Sequence, residues 1–341
     1  MPVFSQSRSF RVVGAVSGLC LGLVLMAACA PVIEVDPVPV PPWETSVLSD
    51  HPLTGRLFAP RSGDFLTPAQ GLELAAAADF VLLGEKHDNQ DHHRLQAWLT
   101  RRLLARGGQP ALVMEMIDSD RTPALEQYRR ENPGETEGLS TAVEWHKSGW
   151  PDWSLYRPIV EAVVARDLPV VAGNLPKTQA RRIVREGVES LDPETRRRLG
   201  LDHMPDEATV KSLTQEIRKS HCDMLPEPSI AAMIHVQRGR DASLALAMTE
   251  PRPDATGALL IAGAGHARTD RGVPVHLRER TPERRVFSIA FLEVDKDLHE
   301  ASAYAETFGS SILPFDLVWF TPRHDDEDPC AKMAEQMKGK K

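Results

Sequence analysis

FVLLGEKHDN, residues 80–89, is the stretch that decides the fold. An apolar run ends at Gly84, and Glu85, His87 and two further polar side chains follow within five positions. This order is typical of a buried strand that stops where a binding or catalytic site begins. Because open α/β sheets bind ligands outside the carboxyl ends of their strands, we expect Glu85 and His87 at the mouth of a crevice. For this motif alone, a strand followed by an ordinary polar loop is an equal alternative.

The same order of strand and polar exit recurs three times, which favours a site over a simple loop. Because a buried carboxylate needs a partner or a proton, Glu115 is either a site residue or one half of a structural ion pair. The repetition predicts an α/β fold with a largely parallel central sheet flanked by helices. Helical segments at about residues 120–160 and 177–250 are expected to form an additional helical subdomain. The three exits are Glu115 in residues 111–116, Asn174 after residues 168–172 and His266 after residues 259–262.

The bulk composition excludes some classes of protein. The chain has 341 residues, of which 42% are hydrophobic, so it can bury the core of one large domain or of two. Its formal net charge is −8 and no block of Lys or Arg is long enough to bind nucleic acid, so we set that class aside. The glycines before His266 resemble a phosphate-binding loop, but the Lys-Ser/Thr that such a loop needs does not follow.

The N-terminus has the pattern of a secretory signal peptide. Arg8 and Arg11 precede an uncharged apolar stretch that runs into small residues before Cys29. The cysteine at the cut resembles the lipobox of bacterial lipoproteins, so we expect residues 1–28 to be removed and Cys29 to be acylated and anchored to a membrane. An uncleaved anchor helix is the alternative, although the apolar run is short for a span.

The rest of the chain divides into a tether, a folded domain and a tail. Residues 29–49 are rich in proline, which predicts an extended tether that holds the domain off the membrane. The folded α/β domain is expected at residues 50–322, with its helical parts at about residues 120–160 and 177–250. Residues 323–341 are charged and are expected to form a frayed tail.

Two cysteines remain once the leader is removed and Cys29 is acylated. Cys222 and Cys330 have no metal-ligand spacing to one another. In an exported protein they could form one disulfide that ties the tail to a central helix, or they could remain free thiols.

The most aromatic passage, residues 145–156, has two interpretations. Trp153, Tyr156 and Arg157 have helical spacing and share one face. A loop at the carboxyl end of a strand that enters a helix favours a functional surface. Aromatic side chains on a helix more often belong to the core, so both interpretations stay open.

A long helix at residues 229–248 has polar residues in its apolar stripe. Gln237 and Asp241 stand where the spacing predicts core positions. Because buried polar groups must be satisfied, we expect Asp241 to orient an Arg or a His rather than to react.

Six blocks of the sequence, spread over about residues 50–295, together resemble the ChaN family of haem-binding lipoproteins. That family shares a superfamily with the TIKI proteases and the erythromycin-esterase-like hydrolases. The resemblance implies a parallel-sheet α/β domain with a helical part, an outer-membrane lipoprotein, and a role in haem or iron uptake. The blocks are GEKHDN (84–89), MEM (114–116), WPDWSLYRPIV (150–160), VAGNLP (171–176), HCDMLP with QRGRDASLA (221–226, 237–245) and GAGHARTDRGVP (263–274).

The resemblance also implies two haems held face to face across a homodimer, with a tyrosine phenolate on iron. Tyr156 is the only Tyr inside a matching block, and a phenolate is a hard oxygen donor that suits ferric haem. The tryptophans would contact the porphyrin, arginines would pair with its propionates, and histidines would serve the second axial position. An outer-membrane haem receptor is the implied partner. The expected haem-binding residues are Tyr156, His87, Trp150, Trp153, Arg157, Asn174, His266 and Arg268.

The rival expectation is a hydrolase. Glu85, His87, Glu115 and His266 could activate water as general base and acid, or could bind a divalent metal through nitrogen and oxygen. A serine or cysteine nucleophile is disfavoured, because no Gly-x-Ser-x-Gly occurs and Cys222 has no activating context. A tethered scaffold in which these polar groups only satisfy one another is the third possibility.

Overall fold

An eight-stranded sheet lies at the centre of the computed structural model, which describes Met1 and residues 39–338. Its strands are β1 (Leu57–Ala59), β2 (Asp64–Leu66), β3 (Phe80–Glu85), β4 (Pro110–Asp118), β5 (Val170–Asn174), β6 (Gly257–Gly263), β7 (Val286–Glu293) and β8 (Leu317–Thr321). They lie side by side in the order β2-β1-β8-β7-β3-β6-β4-β5. The two pairings of β1 are antiparallel and the other five are parallel. The predicted α/β class with a largely parallel sheet is confirmed.

The helices alternate with the strands along most of the chain. They are α1 (Pro68–Ala76), α2 (Gln90–Ala105), α3 (Thr122–Glu131), α4 (Leu139–Ala142), α5 (Trp153–Val164), α6 (Lys177–Glu186), α7 (Pro193–Arg198), α8 (Glu207–Ser220), α9 (Glu227–Thr249), α10 (Val273–Arg280) and α11 (Pro329–Lys338). Short 3₁₀ turns occupy Ser119–Arg121, Trp145–Lys147, Val188–Ser190 and Ala301–Phe308.

Helices cover both faces of the sheet, and this is why every residue of β3 is buried. Successive side chains of a strand point to opposite faces. Val81 and Leu83 therefore join the core beneath α2 and α5, whereas Phe80 and Leu82 join the core beneath α9 and α10. The polar residues that follow β3 emerge between these two layers.

α6, α8 and α9 form a helical layer with two small cores of its own. Leu213 and Ile217 of α8 pack against Ile230 and Ile234 of α9. Ile183 of α6 joins a second cluster with α9. These contacts hold α6 and α8 along one side of α9, which places a narrow space between them.

Both ends of the described chain are attached to the domain. The backbone amides of Glu44 and Thr45 donate to the carboxylate of Asp91, at 2.8 and 3.1 Å, so the end of the predicted tether lies on α2. Within the predicted tail, Cys330 of α11 forms a disulfide with Cys222, and their Cα atoms are 5.6 Å apart.

The predicted signal peptide, Cys29 and most of the tether lie outside the described residues. The helices that the structure does describe include none with the length and apolar character needed to cross a bilayer.

Candidate functional site

The polar residues at the ends of β3, β4 and β6 meet in one place, because these strands are neighbours in the sheet. Glu85 pairs in register with Gly263, and the Gly263 amide donates to Oε2 of Glu115 at 2.8 Å. Oε1 of Glu115 lies 3.2 Å from Nε2 of His266, and its Oε2 lies 4.0 Å from Nε2 of His87. We call Glu85, His87, Glu115 and His266 the strand-end cluster.

Glu85 is the centre of one half of this cluster. Its Oε1 accepts from the hydroxyl of Tyr156 at 2.9 Å and lies 2.9 Å from Nδ1 of His87. Its Oε2 lies 3.0 Å from Nδ1 of His93. Burial disfavours the charged form, yet the nearby His93 and His87 lower the pKa of Glu85 to about 2. Glu85 is therefore a buried carboxylate with a hydrogen-bonded Oε1, and its Oε2 faces His93 without a hydrogen bond.

His266 is the centre of the other half. Its Nδ1 lies 2.6 Å from Oδ1 of Asp241, and its Nε2 faces Glu115. Burial disfavours the charged ring, but these two carboxylates raise the pKa of His266 to about 10. At neutral pH both ring nitrogens therefore carry a proton and donate to a carboxylate. Asp241 orients a histidine, which is the role that its place in the apolar stripe predicts.

His87 is the member of the cluster that solvent reaches. Its side chain is 34% exposed, and its ring lies edge-on to Trp150 with the ring centres 4.6 Å apart. A Cβ on Gly263 would lie 3.0 Å from Nε2 of His87, so the missing side chain leaves room for the imidazole. Burial opposes its charge, but the hydrogen bond to Glu85 and the charge of Glu115 raise the pKa of His87 above its ordinary value.

Tyr156, the expected iron ligand, lies in the core. Its side chain has no exposed surface, and its ring packs against His93 and Trp145 with centre distances of 4.3 and 5.1 Å. Burial and the adjacent carboxylate of Glu85 raise the pKa of Tyr156, so it stays a phenol that donates its hydrogen. A phenolate at this position would face an ionised carboxylate.

The other two tyrosines are also engaged. The hydroxyl of Tyr128 accepts from the Gly138 amide at 3.0 Å. The hydroxyl of Tyr304 accepts from the Asp295 amide at 2.7 Å and donates to the Leu298 carbonyl at 3.2 Å. Each tyrosine hydroxyl in the chain therefore already has a partner in the protein.

The two arginines expected to bind propionates have acidic partners of their own. Arg157 forms an ion pair of 2.6 Å with Glu161 on the exposed side of α5. Arg268 is buried and binds the carboxylates of Asp270 and Glu216, at 2.6 and 3.4 Å. In the described part of the chain, neither guanidinium forms a hydrogen bond or an ion pair with the strand-end cluster.

Four buried polar atoms among the predicted site residues have no hydrogen-bond partner. They are Oε2 of Glu85, Nε1 of Trp150, Nε1 of Trp153 and Oδ1 of Asn174. Unsatisfied buried groups of this kind favour a ligand or ordered water nearby. Asn174 ends β5 opposite Asp118, and its side chain forms no hydrogen bond with the strand-end cluster.

A metal centre receives no support from the arrangement of donors. Among residues 39–338, no three His, Cys, Asp or Glu side chains converge as a metal site requires. In the strand-end cluster the carboxylates instead face histidines, an amide or the hydroxyl of Tyr156.

A slot between α6, α8 and α9 borders the cluster, and the sequence analysis missed it. Its volume is about 360 Å³, and Gln237 forms part of its wall. The amide nitrogen of Gln237 also lies 3.1 Å from Nδ1 of His266, so this one side chain joins the slot to the cluster. We call this space the helical slot. Its apolar side chains include Val184, Leu213, Ile217, Met233 and Val236.

The charged residues of the helical slot are mainly basic. Arg181, Arg185 and Arg240 line it, and no acidic side chain that the structure describes forms an ion pair with any of them. Glu216 also lines the slot, but it is bound to Arg268 and Arg271. The sequence signal was the pair of arginines four residues apart on α6 with the apolar Val184 between them. In the structure Val184 is 45% exposed.

Comparisons with known proteins place the chain in a family. A search of curated proteins finds no match. A solved structure described as cofacial haem binding to ChaN of Campylobacter jejuni is similar, with a TM-score of 0.60 and 19% identity over 77% of this chain and 95% of that one. An erythromycin esterase, EreC, matches with a TM-score of 0.39 and 17% identity over 70% of this chain and 77% of that one. A family model described as haem-binding uptake, Tiki superfamily, ChaN, matches residues 72–277, which is more than half of the chain. The chain therefore belongs to the ChaN family of the Tiki superfamily.

Proposed function

We propose that this protein binds haem in the helical slot between α6, α8 and α9. Membership of a haem-binding family supports the class of ligand. Haem is a flat apolar ring with two carboxylates on one edge, so its site needs apolar walls and cations at the rim. The observation that carries the proposal is the set of apolar side chains beside Arg181, Arg185 and Arg240, which form no ion pair with an acidic residue in the described part of the chain.

The other concave regions suit haem less well. Most polar atoms of the strand-end cluster contact one another, and Tyr156 has no exposed surface. A larger groove of about 880 Å³ follows the edge strand β5, but Arg198 and Arg252 there both pair with Glu250. A porphyrin in that groove would have to compete with an acid for these arginines.

Titration of the mature chain with haemin tests the proposal through the Soret absorbance. Arg181→Glu with Arg185→Glu should weaken binding by at least about tenfold, because a charge-assisted hydrogen bond contributes about 1.5–3 kcal/mol and 1.4 kcal/mol is a factor of ten. Arg182→Glu is the matched control, since Arg182 lies on the same helix and pairs with Glu186 outside the slot. Equal effects of the two changes would reject the slot, and no Soret band in the wild type would reject haem binding.

Hydrolysis at the strand-end cluster is a second candidate. It is favoured by His87, which is partly exposed while its Nδ1 is held by Glu85 at 2.9 Å. A base whose second nitrogen is oriented by a carboxylate is the arrangement that activates water or a hydroxyl nucleophile. Ester hydrolysis that disappears in His87→Gln and persists in Arg181→Glu would support this candidate.

The proposed cellular role is haem or iron uptake at the bacterial envelope. The N-terminal sequence supports acylation of Cys29, a tether at residues 29–49 and an outer-membrane location. The resemblance of the six sequence blocks to haem-binding lipoproteins is the basis for proposing also a homodimer that works with a haem receptor. Labelling of cells with a tagged fatty acid tests the anchor, because label should enter the wild type and not Cys29→Ser.

A further inference from the structure

His221 is the residue of the helical slot best suited to bind iron. It caps the C-terminal end of α8 and lines the slot. Its Nδ1 donates to the Ile217 carbonyl at 2.8 Å, so the lone pair of the neutral ring is on Nε2. Histidines that ligate metals commonly donate their other ring nitrogen to a backbone carbonyl or a carboxylate.

We propose that His221 binds the haem iron through Nε2. The inference rests on the proposed haem site and names the ligand that the site contributes. The tyrosines of the chain are bound elsewhere, Tyr156 to Glu85 among them. Of the remaining slot residues, only Met233 carries a side chain that ligates haem iron, and a thioether is the softer donor.

The backbone beside His221 is held by local hydrogen bonds and by a disulfide. Cys222 and Asp223, the next two residues, both have left-handed backbone angles, with φ of 54° and 55°. The Cys222 amide donates to the Lys219 carbonyl and the Asp223 amide to the Arg218 carbonyl, at 3.1 and 2.9 Å. The disulfide to Cys330 adds a covalent link to this turn. A ligand held in this way needs little reorganisation when iron binds.

The charges of the slot complement the same ligand. Arg181 and Arg185 approach from α6, Arg240 approaches from α9, and His221 stands at the end of α8. The guanidinium groups and the imidazole thus come from different helices that share one apolar space. A ring with both an iron centre and peripheral carboxylates can use all of them together.

The test compares haemin with iron-free protoporphyrin on the full mature chain. His221→Ala should weaken haemin binding by at least about tenfold and remove the nitrogen-ligated signature from the absorbance and electron paramagnetic resonance spectra. It should leave protoporphyrin binding unchanged, because that ring has no iron. Added imidazole should restore the spectrum of the variant, which a purely structural role of His221 would not allow.

Controls separate the ligand from the site and from the fold. His203→Ala, an exposed histidine outside the slot, should behave as the wild type. Arg181→Glu with Arg185→Glu should weaken both haemin and protoporphyrin. A wild-type spectrum in His221→Ala, or a phenolate band that vanishes only in Tyr156→Phe, would overturn the assignment and leave haem binding intact. Failure of the wild type to bind haemin would overturn both.

Discussion

Tyr156 donates its hydroxyl hydrogen to Oε1 of Glu85 across 2.9 Å, in a part of the domain that solvent does not reach. The residue that the family resemblance assigned to iron therefore completes the hydrogen bonding of a buried carboxylate. Because this contact occupies the Tyr156 hydroxyl inside the strand-end cluster, we place the porphyrin in the helical slot instead.

Tyr156→Phe should destabilise the protein, because it removes a hydrogen bond to a buried charge. The aromatic ring should still pack as before. Hydrogen bonds to charged groups contribute about 1.5–3 kcal/mol, and urea unfolding should show a loss of that order. Tyr128→Phe is the matched control, since its hydroxyl serves one backbone amide and should cost about 0.5–1.5 kcal/mol. Equal losses for the two variants would argue against an ionised Glu85.

Stability should fall in mildly alkaline solution because of His266. Its folded pKa of about 10 lies above the ordinary value of 6.5, so its contribution is complete below pH 6.5 and disappears as pH rises through about 10. Asp241→Asn removes one carboxylate that raises this pKa. The melting temperatures of wild type and variant should differ widely at pH 6 and less at pH 10. A difference that does not change with pH would contradict the assignment.

Gly84→Ala should cost more than Gly263→Ala, although both glycines lie beside the cluster. A Cβ on Gly84 would lie 2.8 Å from Cβ of Ala267 and 2.9 Å from Cα of Ala264, and neither atom can move alone. Overpacking of this kind costs about 1–3 kcal/mol in chemical unfolding. A Cβ on Gly263 meets only the partly exposed ring of His87 within 3.1 Å, and this ring can turn away. A larger loss of stability for Gly263→Ala than for Gly84→Ala would show that the ring of His87 is rigidly held.

Reduction of the disulfide should weaken both the fold and the helical slot. The bridge closes a loop with a sequence separation of 108, for which the chain-entropy relation gives about 4–5 kcal/mol as an upper estimate. Urea unfolding with and without a phosphine reductant measures this loss, and Cys330→Ser is the permanent equivalent. Hydrogen exchange of residues 218–226 should rise on reduction, and haemin affinity should fall with it. Unchanged exchange would show that backbone hydrogen bonds alone hold His221.

The strand-end cluster could be predicted from sequence because it depends on local patterns and one rule of topology. Each apolar run predicts a strand, and parallel strands bring their carboxyl ends to a common edge of the sheet. Glu85, Glu115 and His266 meet for this reason. Asp241 was also predictable, because a carboxylate in an apolar stripe needs a partner.

The remaining features depend on contacts between distant segments. The helical slot exists only because α6 and α8 both pack against α9, and the arginine pair on α6 alone could not locate it. Helical spacing placed Tyr156 on a face but could not show that Glu85 lies against its hydroxyl. The partner of Arg268, Glu216, lies 52 residues away. The short hairpin of β1 and β2 has three residues in each strand, too few for a periodic pattern.

The side chain of Gln237 lines the helical slot and touches the ring of His266. Because both ring nitrogens of the protonated imidazole donate, the amide is best satisfied with its oxygen toward the ring and its NH₂ toward the slot. An occupant that accepts from this NH₂ would stabilise the proton on His266, and by thermodynamic reciprocity that proton would tighten the occupant. The affinity of the helical layer for its ligand would then depend on whether the imidazole at the end of the sheet is protonated.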